Sequence, residues 1–419
     1  MKALAYLGVA YAFIFLSLVL RTPWLTIFVL PIATVLFLPT ALPRPNQKPI
    51  SVERKIVPTR SVSGEDVTVI LTATNSSCHT IPSLLIEDRI PHDLKLGGGT
   101  NRLMLSMRTG ETARFEYQIS KPRRGSYQIG PTIVRTSDSA GLRTIDYQIA
   151  NQSELIIIPS VERLGVVDLR GRRLGPWPGL VPAKRLGIGT EFFEISPYVA
   201  GDDLRRVNWK ASARLGTLVT NEFEGEQVID VLIVLDCSED VECRLFDYDA
   251  LEFQVSFAAS LCSQLIMQGN RVGLSVYGAA RTWVSPGFGK RHLLRLLDSL
   301  AFVKPGPATL PIRYVTESVV SAILPSRSLV VLISPIIDDE VTEMLEGIGV
   351  NGYSILCFTP SARRNLVNAS KASRIARRIF ADERDLRILR AQRLAGVVQL
   401  SPETTFKPLL RARSRWKRA

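Results

Sequence analysis

The chain has 419 residues, of which 46% are hydrophobic and 22% are charged, and its formal net charge is +13. This length allows two or three domains, and the hydrophobic content suits well-buried cores together with a membrane segment. The composition excludes a disordered protein. The five cysteines are odd in number and lack the spacing of metal ligands, which favours a reducing compartment.

Two apolar runs without a charge open the chain, Ala3–Leu20 and Pro23–Leu42. Each is long enough to span a bilayer, and the short connection Arg21–Thr22 predicts a transmembrane helical hairpin within residues 1–45. Basic residues before and after the hairpin outnumber the single arginine between the runs. The positive-inside rule therefore places both ends in the cytoplasm and predicts a cell-membrane protein with two helices. A cleaved signal peptide is the alternative.

Residues 46–160 consist of short alternating runs, such as Val67–Ala73 and Ser153–Ile158, separated by clusters rich in Gly, Pro, Asn and Asp. Period-two alternation at this spacing predicts an all-β, immunoglobulin-like sandwich of about seven or eight strands. Residues 161–226 are interpreted as a linker and signature segment. The first part of it, Val161–Ile188, is rich in Gly, Pro and Arg and has little periodicity.

The signature segment contains the sequence YVAGDDLRRVNWKASARLG, which is residues 198–216. Gly201 suits a tight turn, Asp202 or Asp203 suits a helix cap, and Gly216 suits a left-handed helix end. The segment therefore predicts a helix of about three turns. Asp202 and Arg206 stand four residues apart on this helix, where their side chains can pair.

The pattern E-F-x-E, followed by Y-x-x-G-D-D-x-R-R-x-N-W-K-x-S-A-R, resembles the signature of the domain-of-unknown-function family fifty-eight. The resemblance covers the whole chain in outline and implies a membrane hairpin, a β domain and a von Willebrand factor A-like domain. It also implies a partner, because members are known mainly as partners of MoxR-type AAA+ ATPases. The signature residues singled out as partner or junction residues are Glu191, Glu194, Tyr198, Gly201, Asp202, Asp203, Arg206, Asn208, Trp209 and Arg214.

Two interpretations of the signature residues are open. Their charges can form an ion-pair network that fixes the β domain against the α/β domain, or they can form a docking surface for a partner. They lack a paired nucleophile and base, so they are not interpreted as an active site.

Residues 227–405 alternate strand-like and helix-like runs, beginning with the continuous apolar run Val228–Leu235. Such a run is typical of a parallel strand covered on both faces. The alternation predicts a doubly wound α/β domain, with its ligand edge at the carboxyl ends of the strands. Leu218–Glu224 is predicted as an edge strand. The predicted fold class is therefore multi-domain: a transmembrane helical hairpin, an all-β sandwich domain, then an α/β doubly wound von Willebrand factor A-like domain.

The first strand of the α/β domain is followed by Asp236–Asp240, which resembles the D-x-S-x-S metal-ion-dependent adhesion site of von Willebrand A domains. That resemblance implies Mg2+ held by oxygen ligands. The corresponding residues are Asp236, Ser238, Asp240, Thr309 and Asp338. Asp240 stands where the second serine is expected. The alternative is a degenerate site without a cofactor, in which Asp236 orients the turn.

The basic charge is concentrated in Arg363–Ala419, which holds 16 Lys or Arg against 4 Asp or Glu. Residues Arg363–Leu394 are predicted to form a long helix. The residues on its apolar face are Ala372, Ile375, Ile379, Leu386 and Leu389. Residues 406–419 form a basic tail that favours anionic lipid. Nucleic acid is not favoured, because aromatic interleaving is limited to Trp416, and a solvated tail is the third interpretation.

The chain has no P-loop, no G-x-S-x-G elbow and no H-E-x-x-H motif, so it is not predicted to be an enzyme. The expected function is that of a membrane-anchored, cytoplasmic-facing adaptor that cooperates with a MoxR-type AAA+ ATPase in assembly or maturation of other proteins. The alternative is an outward-facing adhesion or ligand-binding protein that uses the metal-dependent site. A hydrolase with an unrecognised site is a third class.

Overall fold

The chain falls into two compact units that divide between Ile158 and Pro159. The first unit holds the N-terminal helix and the β domain, and the second holds the signature segment and the α/β domain. The computed structural model describes residues 2–29, 31, 33, 50–137, 144–164, 186–224, 228–238, 248–278, 282–307, 310–325, 328–361 and 371–401.

The N-terminal apolar run forms helix α1, Lys2–Val19, which is followed by a 3-10 helix, Pro23–Phe28. The hydroxyl of Ser17 donates a hydrogen bond to the carbonyl of Thr22 at 3.0 Å and closes the connection between them. Within α1, the structure describes the side chains of the apolar stretch Gly8–Val19, which by itself is shorter than a full bilayer span. Most of the second predicted span lies outside the described residues, so the transmembrane hairpin stays a prediction.

The β domain contains eleven strands among its described residues. They are β1 Ile50–Val57, β2 Arg60–Val62, β3 Val67–Asn75, β4 Ile81–Asp88, β5 Lys95–Gly99, β6 Arg102–Met107, β7 Thr112–Ser120, β8 Gly125–Ile129, β9 Thr132–Ser137, β10 Thr144–Ile149 and β11 Ser153–Ile158. They form three sheets, with the strand orders β1-β3-β7-β5, β10-β9-β4-β6 and β2-β11-β8.

One hydrophobic core joins the three sheets of the β domain. Val69 and Tyr117 from the first sheet, Ile86 and Val134 from the second, and Leu155 from the third belong to the same buried cluster. The all-β prediction is confirmed, but the predicted number of strands is too low. The additional strands are short or rich in Gly, such as β2 and β5, and they lack the period-two alternation from which strands are predicted.

The second unit begins with a two-stranded antiparallel sheet of β12, Leu186–Pro197, and β13, Val219–Glu224. The strand predicted at Leu218–Glu224 is therefore present as β13, and its partner is β12 and not a strand of the α/β sheet. The apolar and polar residues of β13 match an edge strand of either sheet, so the sequence alone does not identify its partner. Residues 165–185 of the predicted linker lie outside the described residues.

The doubly wound α/β prediction is confirmed by a six-stranded sheet. Its strands are β14 Asp230–Cys237, β15 Arg271–Gly278, β16 Thr282–Gly287, β17 Leu329–Ile333, β18 Ser354–Pro360 and β19 Gly396–Leu400. Their order is β16-β15-β14-β17-β18-β19, and β16 alone pairs antiparallel. Strand β16 was not predicted from the sequence, because it contains Pro286 and no apolar run; a proline is tolerated at a sheet edge.

Helices complete the second unit. They are α2 Trp209–Leu215, α3 Ala250–Met267, α4 Lys290–Ala301, α5 Ile312–Ile323, α6 Glu340–Val350 and α7 Lys371–Leu394. In the part of the chain that the structure describes, α3 is the one helix with the length and apolar content of a membrane span. Its span is 67% buried, and Val255, Ala258 and Cys262 lie inside the α/β domain, so α3 is a core helix.

The apolar face predicted for helix α7 is not the side of the helix that packs against the α/β domain. Ile375, Ile379, Leu386 and Leu389, predicted on one apolar face, are all more than half exposed. The buried side instead carries Arg384, Ile388 and Ala391. A helical pattern identifies an apolar stripe but does not say whether the domain or the solvent lies against it.

Candidate functional site

Residues 198–218 of the signature segment connect the two strands of the β12–β13 sheet, and they are called here the connection. The amide of Tyr198 donates to the carbonyl of Leu218 at 2.9 Å, immediately beyond the strand ends, and the amide of Asn208 donates to the carbonyl of Val219 at 2.9 Å. Val207 is buried and forms an isolated bridge with Thr220. The segment is therefore a structured connection held against β13 at its ends and at its middle.

Two aspartates of the signature stabilise turns in this connection. The carboxylate of Asp202 accepts a hydrogen bond from the amide of Val199 at 2.8 Å. The carboxylate of Asp203 accepts one from the amide of Arg205 at 3.0 Å and begins a 3-10 helix, Leu204–Arg206. Both side chains satisfy backbone donors that the turn would otherwise leave without a protein partner.

Helix α2 follows with its own caps. The side-chain oxygen of Asn208 accepts from the amide of Ala211 at 3.0 Å, and its amide group donates to Asn221 at 2.8 Å. The buried hydroxyl of Ser212 accepts from the amide of Val219 at 3.0 Å. Gly216 ends α2 at a positive φ of 70°, a conformation that glycine adopts without a steric penalty.

The predicted helix of about three turns is therefore wrong in extent. A 3-10 helix and a separate α-helix replace it, because Asp203 and Asn208 each cap a new start and Val207 between them is extended. The predicted pairing of Asp202 with Arg206 is also not formed, because the Asp202 carboxylate contacts the Val199 amide. Gly201, which has a φ of 117°, lies in the turn as predicted.

The charged signature residues do not form ion pairs with one another where the structure describes their side chains. Glu194, Arg206 and Arg214 have no salt bridge there, and the two aspartates are occupied by backbone amides. The side chain of Glu191 lies outside the described part. The ion-pair network is therefore not formed among the described residues, while a docking role stays a prediction.

Several apolar side chains of the connection are exposed instead of packed. Trp209 is 66% exposed at the first position of α2, and Leu204 is 61% exposed in the 3-10 helix. Val199 and Leu215 are exposed to a similar degree. Single exposed apolar side chains are ordinary, but a large aromatic and three aliphatic residues on one short, capped connection are typical of an interaction surface.

The carboxyl edge of the six-stranded sheet is the second candidate site. Asp236 is buried at the end of β14, where one carboxylate oxygen accepts from the amide and the hydroxyl of Ser238 at 3.1 and 2.8 Å. The other oxygen accepts from the hydroxyl of Ser334 at 2.7 Å, just after β17. Asp236 thus holds together the loops that follow two neighbouring strands.

Arg384 of α7 lies against the same carboxyl edge of the six-stranded sheet. Its side chain is buried and donates to the carbonyl of Pro335 at 2.6 Å, the hydroxyl of Thr359 at 2.8 Å and the carbonyl of Pro360 at 2.5 Å. It therefore joins the loop after β17 to the end of β18. Arg384 also contributes to a cavity of about 400 Å³ beside Ser361 and Gln399.

Three of the five predicted metal ligands lie among the described residues, namely Asp236, Ser238 and Asp338. The Asp236 oxygens are hydrogen-bonded to the two serine hydroxyls, and the carboxylate of Asp338 accepts from the amide of Val341 at 3.3 Å at the start of α6. In the described ranges, no three His, Cys, Asp or Glu side chains are grouped for metal binding. Asp240 and Thr309 lie outside the described residues. These hydrogen bonds support the alternative interpretation, in which Asp236 orients the turn, and the metal site stays a prediction.

We expect Mg2+ to produce no saturable binding heat with the full chain. Replacing Asp236 with alanine should lower the free energy of unfolding by about 2 kcal/mol, because buried hydroxyl and amide donors lose their acceptor. The control is Asp339→Ala, which removes an exposed carboxylate that faces Arg387 and Arg390 and should cost less than about 1 kcal/mol. Saturable Mg2+ binding that Asp236→Ala abolishes would contradict this interpretation.

The described cysteines of the α/β domain are suited to packing. Cys237, Cys262 and Cys357 are buried, and burial raises the pKa of Cys262 and of Cys357 to about 12. A thiol with such a pKa stays protonated at neutral pH and is a poor nucleophile. Cys243 lies outside the described residues.

Sequence reasoning found Asp236 and Ser238 but missed Ser334 and Arg384. Ser334 directly follows the apolar run of β17, Leu329–Ile333, so the rule that identified Asp236 could also have identified Ser334. Arg384 has no comparable signal, because it is one of many arginines on a basic helix.

Comparisons with known proteins support the family resemblance. Residues 194–356 match the model of the family described as "Protein of unknown function DUF58". The "Uncharacterized protein YeaD" of Bacillus subtilis is 23% identical over 353 residues, which cover 82% of this chain and 84% of that protein. The "Uncharacterized protein Rv1480" of Mycobacterium tuberculosis is 29% identical over 131 residues, which cover 31% of this chain and 40% of that protein.

Solved structures give weaker matches. The SpRpn10 VWA domain aligns with a TM-score of 0.29 and 16% identity, covering 44% of this chain and 92% of that domain. The CARDB domain of the PF1109 protein from Pyrococcus furiosus aligns with a TM-score of 0.20 and 16% identity, covering 27% of this chain and 93% of that domain. The fold assignment therefore rests on the strand order given above. The match to the DUF58 family model, a family of proteins of unknown function, extends from the signature segment into β18.

Proposed function

We propose that the chain is a membrane-anchored, non-enzymatic adaptor whose signature segment docks a partner protein. The observation that carries the proposal is the exposure of Trp209, Leu204, Val199 and Leu215 on a connection whose polar residues hold the backbone in place. A rigid backbone that presents exposed apolar side chains loses little conformational entropy on binding. Trp is also enriched among the residues that dominate binding energy.

The proposed partner is a MoxR-type AAA+ ATPase, as the family resemblance implies. In this arrangement ATP hydrolysis belongs to the partner, and the adaptor holds the partner near other proteins that it helps to assemble or mature. The division of labour is consistent with a chain that carries no P-loop motif.

The proposed location is the cell membrane, with two N-terminal helices and with the soluble domains in the cytoplasm. The apolar helix α1 supports an N-terminal anchor. The basic tail, residues 406–419, is proposed to contact anionic lipid; it lies outside the described residues. A protease added to intact cells or right-side-out vesicles should leave a C-terminal tag uncut. Cleavage of that tag would favour the alternative, an outward-facing adhesion protein.

The docking proposal is tested by purifying the tagged full chain from native membranes and identifying the proteins that remain bound. The native chain should retain an AAA+ ATPase, and Trp209→Ala should reduce its recovery at least about tenfold, as expected when an interface loses a central tryptophan. The matched control is Trp283→Ala, which removes an exposed tryptophan from β16, outside the signature segment. Equal recovery with both variants would contradict the proposed docking surface.

A charge reversal separates docking from a structural role of the same segment. Arg206→Glu should leave the thermal unfolding of the chain unchanged, because Arg206 has no salt bridge with a described residue, and should weaken capture of the ATPase. Loss of protease resistance in this variant would show instead that Arg206 has a structural role.

A further inference from the structure

Helix α7 carries apolar residues on two opposite sides. At 3.6 residues per turn, Arg384, Ile388 and Ala391 fall on one side, which is buried against the α/β sheet. The opposite side, called here the outer face of α7, consists of Ile375, Ile379, Asp382, Leu386, Leu389 and Arg393. Its four apolar members are each more than half exposed. A helix on a domain surface normally has one apolar side, so the outer face has the character of an interface.

The charges of the outer face are arranged symmetrically. Asp382 stands four residues before Leu386, and Arg393 stands four residues after Leu389. Neither of them, nor the neighbouring Glu383, forms an ion pair with a described residue. When a second copy of this helix runs antiparallel to the first, each acidic residue comes opposite a basic residue and each leucine comes opposite a leucine.

We propose that two copies of this chain associate through the outer faces of α7, packed antiparallel about a two-fold axis beside Arg387 and Ile388. In this register Leu386 packs against the partner's Leu389, and Asp382 pairs with the partner's Arg393. Each contact occurs twice, as an isologous interface requires. Glu383 also comes opposite the partner's Arg390, which adds a second complementary charge pair to each half of the interface.

The same residues disfavour two other occupants. In a parallel pair, Asp382 would face another Asp382 and Arg393 another Arg393, which is repulsive. Against an anionic lipid surface, Asp382 would lie in the middle of the contacting face, with Glu383 beside it. A carboxylate there is repelled by the lipid and costly to bury. In the antiparallel pair with a second copy, Asp382 and Arg393 each face a side chain of opposite charge.

The contact is expected to be moderate in strength, because one helix from each copy buries less surface than a large obligate interface. Ile375 and Ile379 extend the apolar surface beyond the four central leucines of the pair. Anchoring in one membrane would raise the effective concentration of the two copies and favour the contact.

The test uses charge reversal in the full chain, purified in detergent, with molar mass measured by light scattering and the dissociation constant by sedimentation. Asp382→Arg alone and Arg393→Asp alone place like charges opposite each other, and each should weaken the dimer at least about tenfold. The chain that carries both reversals should dimerise as the native chain does. An equimolar mixture of the two single variants should form a heterodimer. Glu343→Arg, on α6, is the control and should not change the dimer.

The proposal is supported when the single variants are monomeric and the double variant and the mixture are dimeric. It is overturned if the native chain is monomeric across the concentration range, or if the single variants dimerise as well as the native chain. It is also overturned if the native chain stays monomeric and binds anionic vesicles in a way that Leu386→Lys abolishes, because that result identifies a lipid-binding face. All the substituted side chains are exposed, so circular dichroism should show native helix content in each variant.

Discussion

Replacing Arg54 with methionine should lower the free energy of unfolding of the β domain by about 3–5 kcal/mol. The guanidinium of Arg54 and the carboxylate of Asp88 form an ion pair in which both side chains are almost fully buried. Asp88 also accepts hydrogen bonds from the hydroxyls of Tyr117 at 2.7 Å and Thr132 at 3.1 Å. Burial and the charge of Asp88 raise the pKa of Tyr117, so this hydroxyl stays protonated as a donor. Without Arg54, the Asp88 carboxylate would remain buried without its cation.

The measurement is hydrogen exchange of the β3 and β7 amides in the full chain, which should accelerate by about two to four orders of magnitude. The double variant Arg54→Met with Asp88→Leu should recover a large part of the loss, because it removes both charges. The control is Arg135→Met, which breaks the exposed pair with Asp146, formed through two hydrogen bonds of 2.8 and 2.7 Å. It should cost no more than about 1 kcal/mol. Equal effects of Arg54→Met and Arg135→Met would contradict the assigned role of the buried pair.

Replacing Arg384 with alanine should destabilise the α/β domain by about 3 kcal/mol, because three acceptors at the carboxyl edge of the sheet lose a charged donor. Those acceptors belong to Pro335, Thr359 and Pro360. Urea unfolding followed by tryptophan fluorescence measures the loss. Maleimide labelling of Cys357, which is buried in β18 beside this edge, should become faster in the variant.

Two further variants show whether the effect belongs to the three contacts of Arg384. Arg384→Lys should recover only part of the stability, since an ammonium group cannot reproduce the planar arrangement of guanidinium donors. Arg378→Ala, at an exposed arginine of the same helix, should leave both unfolding and labelling unchanged. An Arg384→Ala protein as stable as the native chain would show that this edge does not depend on α7.

The α/β sheet could be predicted because its signal is local. Val231–Leu235 is apolar at every position since both faces of β14 are covered, and the helices between the strands have their own apolar stripes. Strand β16 and the β12–β13 sheet escaped prediction because pairing partners are chosen by tertiary contacts. The outer face of α7 shows the same limit, since an apolar stripe that meets solvent has the same sequence pattern as one that meets a core.

The sequence predicts the positions of the candidate sites better than it predicts what their side chains do. The signature residues Asp202, Asp203 and Asn208 look like a charged functional cluster in the sequence, but their side chains cap backbone amides. The exposure of Trp209 and Leu204 depends on where those caps end each helix, which residue spacing does not reveal. Arg384 joins the site from more than 100 residues further along the chain than Asp236, and no local pattern marks such a contact.

Hydrogen exchange of the full chain in lipid nanodiscs tests directly whether the partner docks on the signature segment. Exchange is compared with and without the AAA+ ATPase recovered from native membranes. We expect slower exchange confined mainly to residues 198–218 when the ATPase is bound, with β16 and its exposed Trp283 unchanged. Protection elsewhere on the chain, with none in residues 198–218, would contradict docking on the signature segment.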